Sequence, residues 1–203
     1  MRKPYIVTLV VVAAAILVAG AAIAQEKATF TGTVLQTQNM RLPAGGTFQI
    51  KIVVEQWTSA EERERLLGVF KEGGSEALMK ELRNQKAGYI VPPPFVRWPS
   101  WEIDVASLIE TPEGKIVRVF TERPIAFGEA YYNTRSRDYE FGIVELLLDK
   151  DGKGEGATIP AAKLAIDEQG NLRLETLPYN TGPQRIMGVR EWQDKKKDDE
   201  KKE

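Results

Sequence analysis

The sequence predicts a mainly β domain, an antiparallel β-barrel or sandwich of about eight or nine strands with an inserted two-helix hairpin. Short segments with apolar residues at every second position recur along the chain, and turn residues join them in pairs. Helical periodicity is confined to one interval, residues 59–87. Strands and helices therefore do not alternate as in βαβ units, and paired strands around one core are favoured.

The expected strands come mostly as hairpins. The predicted strands are 29–36 with 48–54, 101–105 with 115–121, 158–166 with 172–177, and a last short strand, 184–189. The residues Thr111–Gly114 place a proline and a glycine between the second pair, which is typical of a β-turn. Loops of this composition predict antiparallel neighbours.

A further strand is expected in the most apolar run of the chain after its first 24 residues. Residues 139–148 are nearly continuously apolar, which predicts a strand covered on both faces. Residues 149–156 contain three glycines and five charged residues and are expected to end it in a turn. Residues 121–138 read as a long connection, because Pro124 fixes its φ angle and removes a hydrogen-bond donor.

The helical interval begins with a capping box. Ser59 is expected to accept a hydrogen bond from a free backbone N–H, and Glu62 to reach back to another. An apolar stripe follows, and Gly73–Gly74 is expected to end the first helix before a second one starts at Ser75.

Residues 1–24 have the composition of a signal peptide. Arg2 and Lys3 precede an apolar segment, and Ala22-Ile23-Ala24 provides small residues before a cleavage point. The alternative is an uncleaved anchor, because the apolar segment approaches the length of a membrane span. Residues 25–193 are then one β-rich domain, and residues 194–203 are a charged tail expected to be disordered.

Charge and composition exclude several classes of function. Removing Arg2 and Lys3 from the 28 basic residues leaves 26 against 29 acidic ones, a net charge of −3, so no nucleic-acid partner is expected. The chain has no histidine and no cysteine, which excludes a Ser-His-Asp triad, a thiol nucleophile and a histidine-ligated zinc or haem. No nucleotide-binding glycine motif is present. We expect no cofactor, no metal and no catalytic residue.

Carboxylate chemistry remains open. Glu122 and Glu129 are a candidate acid–base pair of a glycoside hydrolase, with Trp98 or Trp101 as a platform for a sugar ring. The favoured interpretation of the two tryptophans is that they fill the end of a barrel or sandwich.

Another alternative is a cation site in residues 149–156. Asp149, Asp151 and Glu155 match part of a calcium loop, but Lys153 and Pro160 occupy ligand positions, so a solvated turn is preferred.

One charged group is the candidate ligand-binding site, and its members lie in or beside the long connection: Glu122, Arg123, Glu129, Arg135, Arg137 and Asp138. As structure, these residues form a salt-bridged network that holds the connection against the sheet. As function, they form a polar site at a barrel mouth that recognises an anionic or sugar-like ligand. The structural interpretation is preferred, although long connections in compact domains are often functional.

Several short motifs resemble a group of uncharacterised exported bacterial proteins. They are Trp57-Thr58-Ser59 leading into Glu61-Glu62-Arg63, Gly88-Tyr89-Ile90, Thr121-Glu122-Arg123-Pro124-Ile125, Ser136-Arg137-Asp138-Tyr139 and Gly152-Lys153-Gly154-Glu155-Gly156. The resemblance covers most of residues 25–193 and implies export and a shared single-domain fold. It implies no activity.

Taken together, these observations predict a periplasmic or secreted, non-catalytic binding or structural domain of the bacterial cell envelope. Its partner is expected to be a small molecule, a glycan or an envelope protein, with membrane contact only if residues 1–24 are retained. The alternatives are a carboxylate-dependent hydrolase acting on a glycan and a membrane-anchored envelope-interaction protein.

We expect the exported protein to begin at Gln25 and to be recovered free of the membrane, because cleavage follows Ala24. Intact-mass spectrometry after fractionation checks this. An intact Met1, or retention of the protein in the membrane pellet, would contradict it.

Overall fold

The computed structural model describes residues 27–35, 46–91, 100–125, 139–167, 172–176 and 183–192. Within these ranges the chain forms ten β-strands and one α-helix. The strands are β1 Ala28–Leu35, β2 Thr47–Val54, β3 Gly88–Val91, β4 Trp101–Ile103, β5 Val105–Thr111, β6 Gly114–Thr121, β7 Phe141–Asp149, β8 Lys153–Ile166, β9 Leu172–Thr176 and β10 Gln184–Trp192. The helix, α1, is Ala60–Leu82.

The strands form one antiparallel sheet that curls into a nearly closed barrel of nine strands. Their order is β4-β3-β2-β1-β10-β8-β7-β6-β5, and β9 pairs with β8 outside this path. The prediction of an antiparallel β fold is confirmed, and of the two predicted architectures the chain adopts the barrel. Closing the sheet removes the exposed edges that an open sheet would present.

The two ends of this sheet meet at Asp104, the single residue between β4 and β5. On one side of it, the Ala87 N–H donates to the Ile103 carbonyl oxygen at 2.8 Å, next to β3. On the other side, the Asp104 N–H donates to the Phe120 carbonyl oxygen of β6 at 2.9 Å. One nearly continuous strand therefore pairs first with β3 and then with β6, and so joins the two edges.

Two of the three predicted strand pairs are confirmed, and the other is confirmed in part. β1 pairs with β2 in register from Ala28 opposite Val54 to Leu35 opposite Thr47. The strands β5 and β6 pair through the expected turn, but only Val105 of the predicted strand 101–105 takes part, because Trp101–Ile103 forms β4 and pairs with β3. β8 pairs with β9. The last predicted strand is also present as β10, and it pairs with both β1 and β8.

The most apolar strand, β7, is covered on both faces only at its beginning. Val144, Leu146 and Leu148 are buried in the barrel, and Phe141 packs on the outside beneath α1. Leu147, further along the outer face, is 46% exposed. The prediction of two buried faces is wrong for this second half, because α1 does not extend over it.

The barrel interior is an apolar core. Eighteen buried side chains form one continuous cluster that includes Phe30, Ile52 and Val117. The packing is close enough that a Cβ atom on Gly142 would lie 2.5 Å from Ile125 Cγ1. Such a core has the close packing of protein interiors in general.

An ion pair crosses the barrel between strands that are not neighbours. Lys115 Nζ of β6 lies 2.6 Å from Glu191 Oε2 of β10, and both side chains are largely buried. Their register partners are Leu148 and Phe30, two residues of the interior core. Residues directly opposite in an antiparallel pair share a face, so the ion pair lies on the inner side of the barrel.

The predicted two-helix hairpin is not supported, because the described residues contain the single helix α1. Gly74 interrupts it with φ 67° and ψ −162°, a backbone conformation that glycine adopts without a Cβ clash. The bend is sharp: Arg65 Nη1 lies 2.8 Å from Glu81 Oε2, although 16 residues of straight helix span about 24 Å. Gly74 therefore divides α1 into two helical segments that fold back toward each other, at the position where the sequence predicts an interruption.

The start of α1 follows the sequence prediction in part. Ser59 caps the helix, with its Oγ accepting from the Glu62 N–H at 3.1 Å. The Glu62 carboxylate does not reach back to Ser59. It instead accepts hydrogen bonds from Arg65 and, at 2.7 Å, from Gln85 Nε2.

The helix α1 packs against the outside of the barrel. Its buried side chains Leu66, Phe70, Leu78 and Leu82 form a second core cluster with Phe141 and Leu164. The Phe120 and Phe141 rings beneath it lie 4.9 Å apart. The helix therefore covers one part of the outer face and stabilises the beginning of β7.

Three predictions lie outside the described residues. They are the signal peptide at residues 1–24, the charged tail at residues 194–203, and most of the long connection, residues 126–138.

We expect Leu82→Ala to lower the free energy of unfolding by about 2–5 kcal/mol, because it leaves a cavity between α1 and the sheet. The matched control is Leu147→Ala, which removes the same atoms from a half-exposed position and is expected to cost less than about 1 kcal/mol. Urea unfolding of both variants checks this. Equal costs would show that α1 does not contribute to the core.

Candidate functional site

The barrel closure buries a carboxylate. The Asp104 side chain is 2% exposed, and its Oδ2 accepts a hydrogen bond from the Glu122 N–H at 2.5 Å. The alternation of inward- and outward-facing residues shifts by one position here, because Ile103 and Ala106 are three positions apart and both fully buried. In the predicted strand 101–105, Asp104 is one of two acidic residues that alternate with the apolar Trp101, Ile103 and Val105, a position expected to be exposed. In the structure it is buried.

This environment favours the protonated form of Asp104. Burial raises its pKa to about 7, because the carboxylate loses most of its hydration. The nearby negative charges of Glu122 and Glu102 raise the pKa further, whereas the Glu122 N–H and the positive charge of Arg123 oppose the rise. No basic side chain among the described residues forms an ion pair with Asp104.

Two arginines share the carboxylate of Glu122. Arg83 Nε lies 3.1 Å from Glu122 Oε2, and Arg123 Nε lies 3.2 Å from Glu122 Oε1. The Glu122 side chain is only 13% exposed, whereas those of Arg83 and Arg123 are 67% and 82% exposed. We call Arg83 and Arg123 the arginine pair. It presents two guanidinium groups to solvent above one shielded carboxylate.

Neighbouring elements fix the backbone of this site. The Thr121 hydroxyl donates to the Arg123 carbonyl oxygen at 2.5 Å and accepts from the Gly142 N–H at 3.1 Å. The Ile125 N–H donates to the Pro160 carbonyl oxygen at 2.8 Å, and the Ile125 side chain is buried in the barrel core. Arg83, in turn, is the residue that caps the C-terminus of α1. Barrel and helix thus position the two arginines independently.

The structure brings together two of the predicted site residues, Glu122 and Arg123. Trp101 is partly buried against the barrel core, in agreement with the interpretation that it fills space there. The other predicted residues lie outside the described ranges: Trp98, Glu129, Arg135, Arg137 and Asp138.

Sequence reasoning missed Asp104 and Arg83. An aspartate in the middle of a β-branched and apolar strand is unfavourable, so Asp104 carried a usable signal. Arg83 carried none, because only the packing of α1 on the barrel brings it to Glu122.

The acidic turn after β7 has a structural role. Asp149 Oδ1 accepts hydrogen bonds from the Asp151 and Lys153 N–H groups, both at 2.9 Å. Glu155 forms an ion pair with Arg185 on the neighbouring strand β10. In the described part of the chain, no group of three or more acidic side chains is placed to hold a metal ion. None of the helical segments described combines the length and apolar character that a membrane-spanning helix requires.

The buried carboxylate predicts a fall in stability with rising pH. Between about pH 4 and pH 7, folded Asp104 keeps a proton that the unfolded chain gives up, so the free energy of unfolding decreases over that range and then levels off. At about 1.4 kcal/mol per pKa unit, the expected loss is about 2–4 kcal/mol.

Urea unfolding of the wild type and of Asp104→Asn across this range measures the effect. The asparagine keeps an acceptor for the Glu122 N–H but does not titrate, so its stability is expected to lack this decline. Other carboxylates titrate in both proteins, and the difference between the two curves isolates Asp104. Parallel curves would contradict the prediction.

The comparisons with known proteins add no relative. No family model matches the chain, no curated protein is similar to it, and no solved structure is similar to it. The resemblance to a group of exported bacterial proteins therefore stays a prediction.

Proposed function

We propose that the chain is an exported, non-catalytic binding domain of the bacterial cell envelope whose ligand carries a negatively charged group. The ligand belongs to a glycan, a small molecule or an envelope protein, and the arginine pair contacts its anionic group. The domain acts in the periplasm or outside the cell.

The geometry of the arginine pair carries this proposal. Both arginines reach Glu122 through Nε, and none of the hydrogen bonds among the described residues uses their terminal Nη atoms. Guanidinium groups bind carboxylates and phosphates with two parallel N–H donors. The pair therefore keeps donors directed away from Glu122, on side chains that are mostly exposed.

The contrast with other arginines supports this interpretation. Arg185 uses both Nε and Nη2 on the same carboxylate oxygen of Glu155, and Arg65 bonds Glu62 through Nε and Nη2 and Glu81 through Nη1. Those arginines use two or three of their N–H groups in hydrogen bonds within the protein. Arg83 and Arg123 each donate one hydrogen bond among the described residues.

The placement of the carboxylates supports the non-catalytic part of the proposal. A general acid with a pKa near neutrality must reach the bond that it protonates. Asp104 has such a pKa, but it is buried and faces a backbone N–H group. Glu122 is held between two guanidinium groups, and its side chain is only 13% exposed.

The case for export depends on residues 1–24, whose charged start, apolar centre and small residues match a signal peptide. The absence of cysteine means that the domain depends on packing for its stability in an oxidising compartment. An uncleaved segment would make the same domain a membrane-anchored one.

We expect Arg83→Ala and Arg123→Ala each to cost less than about 1 kcal/mol of stability, because both ion pairs are exposed at the arginine. Each variant is also expected to bind anionic ligands about 10-fold more weakly, since a charge-assisted contact is lost. A bacterial glycan array with phosphate-bearing, carboxylate-bearing and uncharged glycans measures binding, and urea unfolding measures stability.

Arg185→Ala is the matched control, because it removes an exposed arginine outside the site and is expected to leave binding unchanged. Absence of binding to every charged glycan by the wild type would overturn the assignment of a glycan as the ligand. A stability loss of several kcal/mol in the arginine variants would instead favour the purely structural network.

A further inference from the structure

Asp104, at which the two ends of the sheet meet, is linked to the arginine pair through the contacts of one residue, Glu122. The Asp104 carboxylate accepts a hydrogen bond from the backbone N–H of Glu122, and the side chain of that same glutamate holds both arginines. A change at Asp104 therefore reaches the arginine pair through a single residue.

The charges around Asp104 make this contact sensitive to ionisation. Glu102 of β4 and Glu122 after β6 contribute negative charge, and Arg123 contributes positive charge. Arg83, from the end of α1, acts through its contact with Glu122. An ionised Asp104 would be a buried anion beside two further anions, without an ion-pair partner of its own among the described residues.

The composition of the chain makes such a response specific. The sequence contains no histidine and no cysteine. No other side-chain type present has an ordinary pKa between about 5 and 8. A titration at neutral pH in this protein therefore has few other possible sources.

We infer that Asp104 is a pH-sensitive switch on the binding site. Its protonated form stabilises the closing strand against the backbone of Glu122. Its ionised form keeps the hydrogen bond from the Glu122 N–H, which favours the charged carboxylate, but adds a buried negative charge beside Glu122 and Glu102. This charge lies near the arginine pair and weakens anion binding there. Binding is therefore strong at mildly acidic pH and weaker above neutrality.

The first test observes the switch without a ligand, so it does not depend on the proposed function. The backbone ¹H–¹⁵N signals of Asp104 and Glu122 are followed by NMR from pH 5.5 to 8.5. We expect both to titrate with a midpoint near pH 7 in the wild type and not to titrate in Asp104→Asn. A flat Glu122 signal in the wild type would overturn the inference.

Two further variants test the assignment even if Asp104→Asn does not fold. Glu122→Gln removes a neighbouring negative charge and is expected to lower the midpoint, whereas Arg123→Ala removes a positive charge and is expected to raise it. Shifts in the same direction, or no shifts, would show that the titrating group is not Asp104.

The second test measures whether ionisation of Asp104 changes the affinity for an anion, and it rests on the proposed function. Sulfate is the probe, because its charge does not change between pH 6 and pH 8. We expect wild-type affinity for sulfate to fall about 2- to 10-fold from pH 6 to pH 8, and that of Asp104→Asn to stay constant.

Equal wild-type affinities at the two pH values, with the Glu122 signal still titrating, would overturn the coupling. Absence of sulfate binding at both values would overturn the anion-binding proposal. The NMR titration would then decide by itself whether Asp104 responds to pH.

Discussion

The hydrogen-bond requirement of two sheet edges is the constraint on which this structure depends. A curled sheet leaves unpaired backbone groups at its first and last strands unless one element satisfies both. Here the strand interrupted at Asp104 pairs with β3 before the interruption and with β6 after it. The interruption shifts the alternation of inward-facing residues along the strand, and it buries an aspartate.

The remainder of the site follows from that placement. A carboxylate at this position needs a donor, and the chain provides the N–H of Glu122 immediately after β6. The same turn continues to Ile125, whose side chain enters the barrel and closes the space beside Gly142. Between these two fixed points, Glu122 and Arg123 have little freedom in their backbone. A rigid backbone with exposed guanidinium groups limits the entropy lost when an anion binds.

Alternating patterns predicted most of the fold, because they record which face of each strand is buried. Every second residue of β2 is buried, and its pairing with β1 follows from that pattern and from the intervening loop. The apolar run of β7 misled the prediction, because Leu147 is apolar without being covered. Gly73 and Gly74 correctly marked the interruption of α1, because Gly74 has a non-helical backbone. A glycine pair does not specify, however, whether the segments on its two sides form one kinked helix or two helices.

The site was less predictable for a physical reason. Glu122 and Arg123 are adjacent in sequence, so their proximity could be predicted without knowing the fold. Arg83 lies 39 positions from Glu122, and only the docking of α1 on β6 and β7 brings the two together. The burial of Asp104 depends on a strand irregularity, and no local pattern records which edge a strand will join. Contacts that arise from barrel closure are properties of the whole sheet.

The pairing of β1 with β10 has a consequence for how the chain folds. β1 begins at Ala28 and β10 ends at Trp192, yet the two strands run side by side, with Thr29 opposite Trp192. One edge of the first strand therefore has no native partner until the last strand has been made. Contacts between such distant residues slow folding, because the entropy of closing the loop is lost before the contacts form. The barrel cannot close while its C-terminal strand β10 is still being synthesised, so in the nascent chain β1 lacks one of its two neighbours in the sheet.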